Sequence, residues 1–176
     1  MQSTPIWQPY RPLMQLPASA KSWLLDEGSL TARLVKESQG HFAVQRLRQA
    51  WQVPALNERQ MLGLHTREVA LVREVFLLCH GQPWVYARSI LPHRSLSGPL
   101  RFLRHLNNRS LGSFLFKNPH LQRHAFEICA LDKSSPSIPI TLEHSIYGRR
   151  SVFTLQERPL LVSEFFLPAC SMYQHN

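Results

Sequence analysis

The sequence predicts an α+β fold built on an antiparallel sheet. Two observations lead there. Successive strand candidates are joined by short connections, as antiparallel pairing allows. The helical segments come in two groups instead of alternating with single strands, which argues against a repeating βαβ pattern. The chain has 176 residues, of which 44% are hydrophobic and 18% charged. That length and composition suit one globular domain with a core of its own. The expectation is a single domain over 1–176, with 1–17 as an extended N-terminal segment.

The elements follow in order. Four prolines in the first seventeen residues favour extended chain along the surface. From Ser19 to Glu27 the cluster Trp23, Leu24 and Leu25 predicts a short helix stopped by Gly28. Ser29 can cap a second helix whose buried stripe is Leu30, Leu34 and Val35. Strands are predicted at Phe42–Trp51 and Glu68–Cys79. After a turn at His80–Pro83, Trp84–Leu91 forms the returning arm of a hairpin. The segment Ser95–Pro99 breaks the sheet. Leu100–Leu106 and Leu111–Lys117 then predict a second helical pair. Further strands are predicted at Ala125–Leu131, Ile138–Tyr147, Ser151–Leu155 and Leu160–Leu167, with turns at Gly148–Arg150 and Gln156–Pro159.

Composition excludes several classes. No apolar run is long enough for a membrane span. The N-terminus has neither a basic leader nor a continuous apolar segment, so no secretory signal is expected. Three scattered cysteines, Cys79, Cys129 and Cys170, argue against a disulfide framework and read as core thiols in a reducing cytoplasm. Formal net charge is +9, from 20 Lys+Arg against 11 Asp+Glu. Such a surface attracts anions, but the arginines are dispersed and do not form the basic face that DNA reading requires.

Two charges interrupt apolar strand faces. Side chains alternate along a strand, so Arg73 shares a face with Val69, Leu71, Val75, Leu77 and Cys79. Glu164 likewise shares one with Leu160, Val162 and Phe166. Burying an unpaired ion costs several kcal/mol even after relaxation. From the pattern alone two readings stay open: Arg73 and Glu164 pair with each other, or a ligand lies between them. For the second, arginine offers a planar fork matched to a carboxylate. A glutamate in an apolar wall could hold or deliver a proton. Other constellations are weaker. His120 and His124 have metal-pair spacing, but Leu121 sits where a zinc protease motif has glutamate. There is neither a glycine-rich phosphate loop nor a G-x-S-x-G elbow.

Five segments in order carry a family resemblance: Arg73–Pro92 (REVFLLCHGQPWVYARSILP), Ser95–Pro99 (SLSGP), Leu111–Phe116 (LGSFLF), Tyr147–Ser151 (YGRRS) and Pro159–Pro168 (PLLVSEFFLP). Together they resemble the chorismate pyruvate-lyases of bacterial ubiquinone biosynthesis, from about Trp23 to Tyr173. The resemblance implies an antiparallel sheet of about six strands with helices on one side. Two helix-turn-helix flaps would close over a buried site, and the helical pairs near 19–36 and 100–117 fall where those flaps belong. The implied reaction splits chorismate into 4-hydroxybenzoate and pyruvate, the first committed step of the ubiquinone pathway, with no metal and no organic cofactor.

The resemblance also assigns roles. Arg73 matches the arginine that binds the ring carboxylate. Glu164 matches the carboxyl group facing the 4-hydroxyl end. Leu30 and Leu111 match flap positions whose backbone N–H groups help hold the carboxylate. Arg88 matches a family arginine and is assigned to the enolpyruvyl carboxylate or the access path. Two departures stand out: Ala87 precedes Arg88 where glycine is expected, and Ala130–Ser145 is longer than in the family. The implied protein is a cytoplasmic monomer whose partners are its substrate and product. Neither nucleic acid nor stable membrane insertion is expected. The alternative is a non-catalytic ligand-sensing domain of the same fold.

Overall fold

The computed structural model describes residues 5–135 and 137–174. One antiparallel sheet organises them. Its strands are β1 (Gln8–Pro9), β2 (Phe42–Gln52), β3 (Ala70–Cys79), β4 (Gln82–Pro92), β5 (Gln122–Arg123), β6 (Glu127–Leu131), β7 (Ile146–Leu155) and β8 (Arg158–Phe166). The spatial order is β1-β6-β7-β8-β4-β3-β2, with the short β5 also paired to β7. Six of these strands are longer than two residues, the size of sheet that the family resemblance implies.

Two tight hairpins set the register of the centre. His80 and Gly81 both have positive φ, 52° and 75°, and Gln156 and Glu157 have 51° and 60°. Two-residue turns with left-handed backbone match the right-handed twist of the strands they join. They fix β3 against β4 and β7 against β8, which pair in turn through β4 and β8.

Strand alternation then sorts the sheet into two faces. The near face carries Arg73, Val75 and Leu77 of β3, Ala87 and Ser89 of β4, Val162 and Glu164 of β8, and Arg149 and Phe153 of β7. Four helical segments cover it: α1 (Ala18–Leu24), α2 (Leu30–Glu37), a 3-10 helix (Gly98–His105) and α4 (Leu111–Leu115). Trp23, Leu24, Leu30 and Leu34 pack with Val75, Leu77 and Phe166. Leu100, Leu103, Leu111 and Leu115 pack with Leu71, Phe153 and Leu160. These are the two helical pairs read from the sequence. The second opens as a 3-10 helix, and its α-helix ends at Leu115, two residues short of the predicted Lys117.

The far face is covered differently. Helix α3 (Leu56–Leu62) was not anticipated. Its Leu62 packs over Val72, Ile90 and Leu161. Residues 132–135 and 137–145, read partly as a strand, form an irregular segment instead. Pro139 lacks the N–H a ladder needs, and the segment buries Ile138 and Leu142 against Tyr86 and Phe165.

The turn predicted at Gly148–Arg150 is the middle of β7. Gly148 is there for space: a Cβ would lie 2.7 Å from Phe165 Cδ1 and 3.0 Å from Cys129 Sγ. The arginines that follow sit directly across the ladder from carboxylates, Arg149 from Glu164 and Arg150 from Glu127. All three cysteines are free and buried, and burial pushes the Cys129 and Cys170 thiols up to about 12. Among the described residues no helix is long and apolar enough to cross a membrane.

Candidate active site

A cavity lies between the near face and the helical pairs, with about 530 Å³ of non-atom space including its mouth. Its floor runs across five strands: Arg73 on β3, Ala87 and Ser89 on β4, Val162 and Glu164 on β8, Arg149 and Phe153 on β7, and Arg123 on β5. Its roof is made by Gly28, Leu30 and Thr31 at the start of α2, and by Ser110, Leu111 and Gly112 at the start of α4. Small Ala87 and Ser89 leave the middle of the floor open.

The roof presents two helix N-termini. Ser29 caps α2 by accepting from the Ala32 N–H at 3.2 Å, and Ser110 caps α4 by accepting from the Ser113 N–H at 3.1 Å. The first N–H groups, at Leu30 and Leu111, have no intrahelical acceptor. A hydroxyl pair, Thr31 Oγ1 to Ser110 Oγ at 2.6 Å, joins the two helix starts. Both predicted flap positions are therefore at the cavity, at the helix positions where backbone donors are free for an anion.

Arginines on the floor hold the roof's connections. Arg73 Nη2 donates to the Asn107 and Arg109 carbonyls at 3.0 and 2.7 Å, fixing the turn before α4. Arg149 Nη1 donates to the Trp23 and Asp26 carbonyls at 2.9 and 2.8 Å, fixing the turn between α1 and α2. Arg73 and Arg149 are the largest fully buried side chains, 2% and 1% exposed.

The two differ in charge pairing. Arg149 Nε donates to Glu164 Oε2 at 2.6 Å, so these two neutralise each other. Arg73 has no carboxylate within ion-pair distance among the described residues, and its buried Nε has no hydrogen-bond partner. Burial, with nearby Arg46, lowers Arg73 to about 10. It remains a cation at neutral pH.

The Arg73–Glu164 pair left open by the sequence does not form. Both residues line the cavity, Glu164 held by Arg149 and Arg73 unmatched. The wall around Glu164 is not apolar, since Arg149 lies beside it. With Oε2 accepting from Arg149, Glu164 keeps Oε1 as a second acceptor at the cavity.

Arg88 is not in the cavity. Alternation turns it to the far face, where Nε donates to Glu58 Oε1 at 2.7 Å and Nη1 to Glu74 Oε1 at 2.6 Å. Burial works against its charge, but Glu58 and Glu74 outweigh that and hold it above the ordinary guanidinium range. Its assignment to the enolpyruvyl carboxylate or access path is corrected: it ties α3 to the back of the sheet.

Arg149, Arg123, Thr31 and Ser110 were missed. A glycine at position 148 looks like a turn in sequence, and a turn there gives Arg149 no strand face. Arg123 sits in a two-residue strand too short to show a pattern. The spaced histidines do not converge: His124 Nε2 shares a hydrogen bond with Thr154 Oγ1 at 2.9 Å. Among the described residues no group of three or more His, Cys, Asp or Glu is placed to hold a metal ion.

The fold recurs in solved structures. The effector domain of PhnF from Mycobacterium smegmatis superposes with a TM-score of 0.62 at 14% identity, covering 82% of this chain and 91% of that one. The ligand-binding domain of a putative GntR-family transcriptional regulator from Bordetella bronchiseptica gives 0.56 at 16% identity, over 74% and 85%. The fold is thus shared with an effector domain and with a ligand-binding domain. Sequence narrows it further. The chorismate lyase family model matches residues 1–176. Probable chorismate pyruvate-lyases are 41% identical in Pseudomonas putida, over 93% of this chain and 88% of the relative, and 42% identical in Methylococcus capsulatus, over 85% and 94%. The chain belongs to the chorismate lyase family.

Proposed function

We propose that this protein is a chorismate pyruvate-lyase, converting chorismate to 4-hydroxybenzoate and pyruvate. The observation that carries the reading is the buried Arg73 guanidinium, without a carboxylate of its own, across the cavity floor from an oriented Glu164. Arg73 and the N–H groups of Leu30 and Leu111 converge on one end and bind the ring carboxylate. At the other end Glu164 Oε1 accepts a hydrogen bond from the 4-hydroxyl, and Arg149 fixes its direction.

In the reaction the ether C–O bond to the ring breaks and the ring loses the hydrogen at C4. The enolpyruvyl methylene gains a proton to become the methyl of pyruvate. Aromatisation supplies much of the driving force. The protein therefore acts by orienting the substrate, excluding water and stabilising charge on the departing group. The chain's own residues account for these roles, and no cofactor enters the scheme. Both connections of the roof are tied to the floor by arginines, so product leaves when the roof lifts, and that opening limits turnover.

Identity near 40% with the lyases, against 14–16% with the regulator domains, favours catalysis over ligand sensing. We place the reaction at the entrance to ubiquinone synthesis and in the cytoplasm. Three free buried thiols suit that reducing compartment. Purified protein incubated with chorismate should release pyruvate and 4-hydroxybenzoate in equal amounts. Its gene should also restore quinone synthesis to a bacterium lacking this activity. Chorismate left intact by well-folded protein overturns the proposal.

A further inference from the structure

The cavity holds more positive charge than the ring carboxylate uses. Arg149 is matched by Glu164. Arg73 and Arg123 are both unmatched by any ion pair among the described residues. Arg123 is held loosely: Nε donates to Ser151 Oγ and Nη1 to the Asp26 carbonyl, both at 3.3 Å. Its guanidinium lies over the Phe126 and Phe153 rings, 4.1 and 4.9 Å from their centroids. The rings keep its plane in place without neutralising it. Burial, then the Arg149 charge, lowers it to about 10, so it too is a cation at neutral pH.

Position supports a role complementary to that of Arg73. Four strand-to-strand steps separate β5 from β3 along the floor, which puts their backbones roughly 19 Å apart. Two arginine side chains reaching inward from those strands can bracket one small molecule over Ala87 and Ser89. Arg123 and Phe116 also form the wall between the cavity and an outer groove lined by Glu27, Asn118 and His124. A side arm of the ligand pointing to Arg123 therefore points toward solvent.

We propose that Arg123 is the second anion site of the cavity, binding the carboxylate on the side arm of a dicarboxylate whose ring carboxylate is held by Arg73. This rests on the lyase reading, in which that arm is the enolpyruvyl ether. It replaces Arg88, which faces the other way. Arg123 thus selects for two carboxylates over one.

The test uses a pair of unreactive ring ligands, 3-carboxymethoxybenzoate with an acidic ether arm and 3-methoxybenzoate without one. Calorimetry on the native protein should show the diacid binding at least about tenfold more tightly, the scale of one charge-assisted contact. In Arg123→Met that preference should disappear while monoacid affinity stays within about twofold. Arg123→Lys, which keeps the charge but loses the fork, should retain part of it. A diacid preference that survives Arg123→Met overturns the proposal. So does equal loss of both ligands in Arg123→Met and Arg123→Lys, which makes the residue structural. Because neither ligand turns over, the result stands apart from whether chorismate is cleaved.

Discussion

The two faces of the sheet use the same residue type to opposite ends. On the far face, Arg88 lies between Glu58 and Glu74, and Arg150 donates to Glu127 at 2.6 Å. Each has carboxylates of its own, and Arg88 fastens a helix to the strands. On the near face, Arg73 is buried and Arg123 half-buried, and among the described residues neither has a carboxylate within ion-pair distance, whereas Arg149 is matched by Glu164. A buried cation is expensive unless something compensates it. On the far face the fold supplies the compensation. On the near face the cation faces a cavity and is left for an anion that arrives from outside. Arginine count says nothing about function here; the missing partner does.

That contrast can be broken by exchanging the two kinds of site. The largest effects belong to the near face. Arg73→Ala and Glu164→Ala should each lower 4-hydroxybenzoate formation by at least about a hundredfold, the scale of losing one electrostatic contribution; initial rates with chorismate measure this. On the far face, Arg88→Met leaves Glu58 and Glu74 unpaired. It should cost about 3 kcal/mol in urea unfolding, with turnover by the folded fraction near normal. A large fall in turnover there would erase the distinction between the faces. Gly148→Ala forces a methyl against the Phe165 ring and should cost about 1–3 kcal/mol by the same measurement.

The smallest effect is at Asp26, in the turn between α1 and α2. Burial works to raise its carboxyl, but the Gly28 N–H and Arg33 outweigh burial and hold it below the ordinary value. A lowered carboxyl stabilises the fold above its unfolded pKa, and that stability is lost as pH falls through the folded value. Asp26→Asn should therefore cost less than about 1 kcal/mol at neutral pH. Wild type and variant should converge in acid.

The sequence revealed the near face better than the far one. Alternation in β3 and β8 was enough to isolate Arg73 and Glu164, because each stands alone among apolar neighbours in a regular strand. Ser29 marked the start of α2, but the roles of Leu30 and Leu111 came from the family resemblance alone. What failed depended on three dimensions. Gly148 serves as space for Phe165, and a glycine that makes room looks in sequence like one that makes a turn. That single reading concealed Arg149 and therefore the true partner of Glu164. Arg88 was assigned by motif alone, although its place between Ala87 and Ser89 already turned it away from their face. Helix α3 is closed at both ends by contacts visible only in three dimensions: the Glu58 carboxylate accepts from the Ala55 N–H, and Gly63 ends the last turn at φ 61°. The apolar residues of 137–145 are core without being strand.

The most direct test of the contrast is the thermal shift produced by saturating 4-hydroxybenzoate in wild type, Arg73→Met and Arg88→Met. A ligand that binds only the folded state raises the melting temperature. Wild type should gain several degrees. Arg88→Met should melt earlier yet show the same gain, and Arg73→Met should gain nothing. An equal gain in Arg73→Met, or its loss in Arg88→Met alone, would contradict the claim that the near-face arginine awaits an anion while the far-face one is already paired.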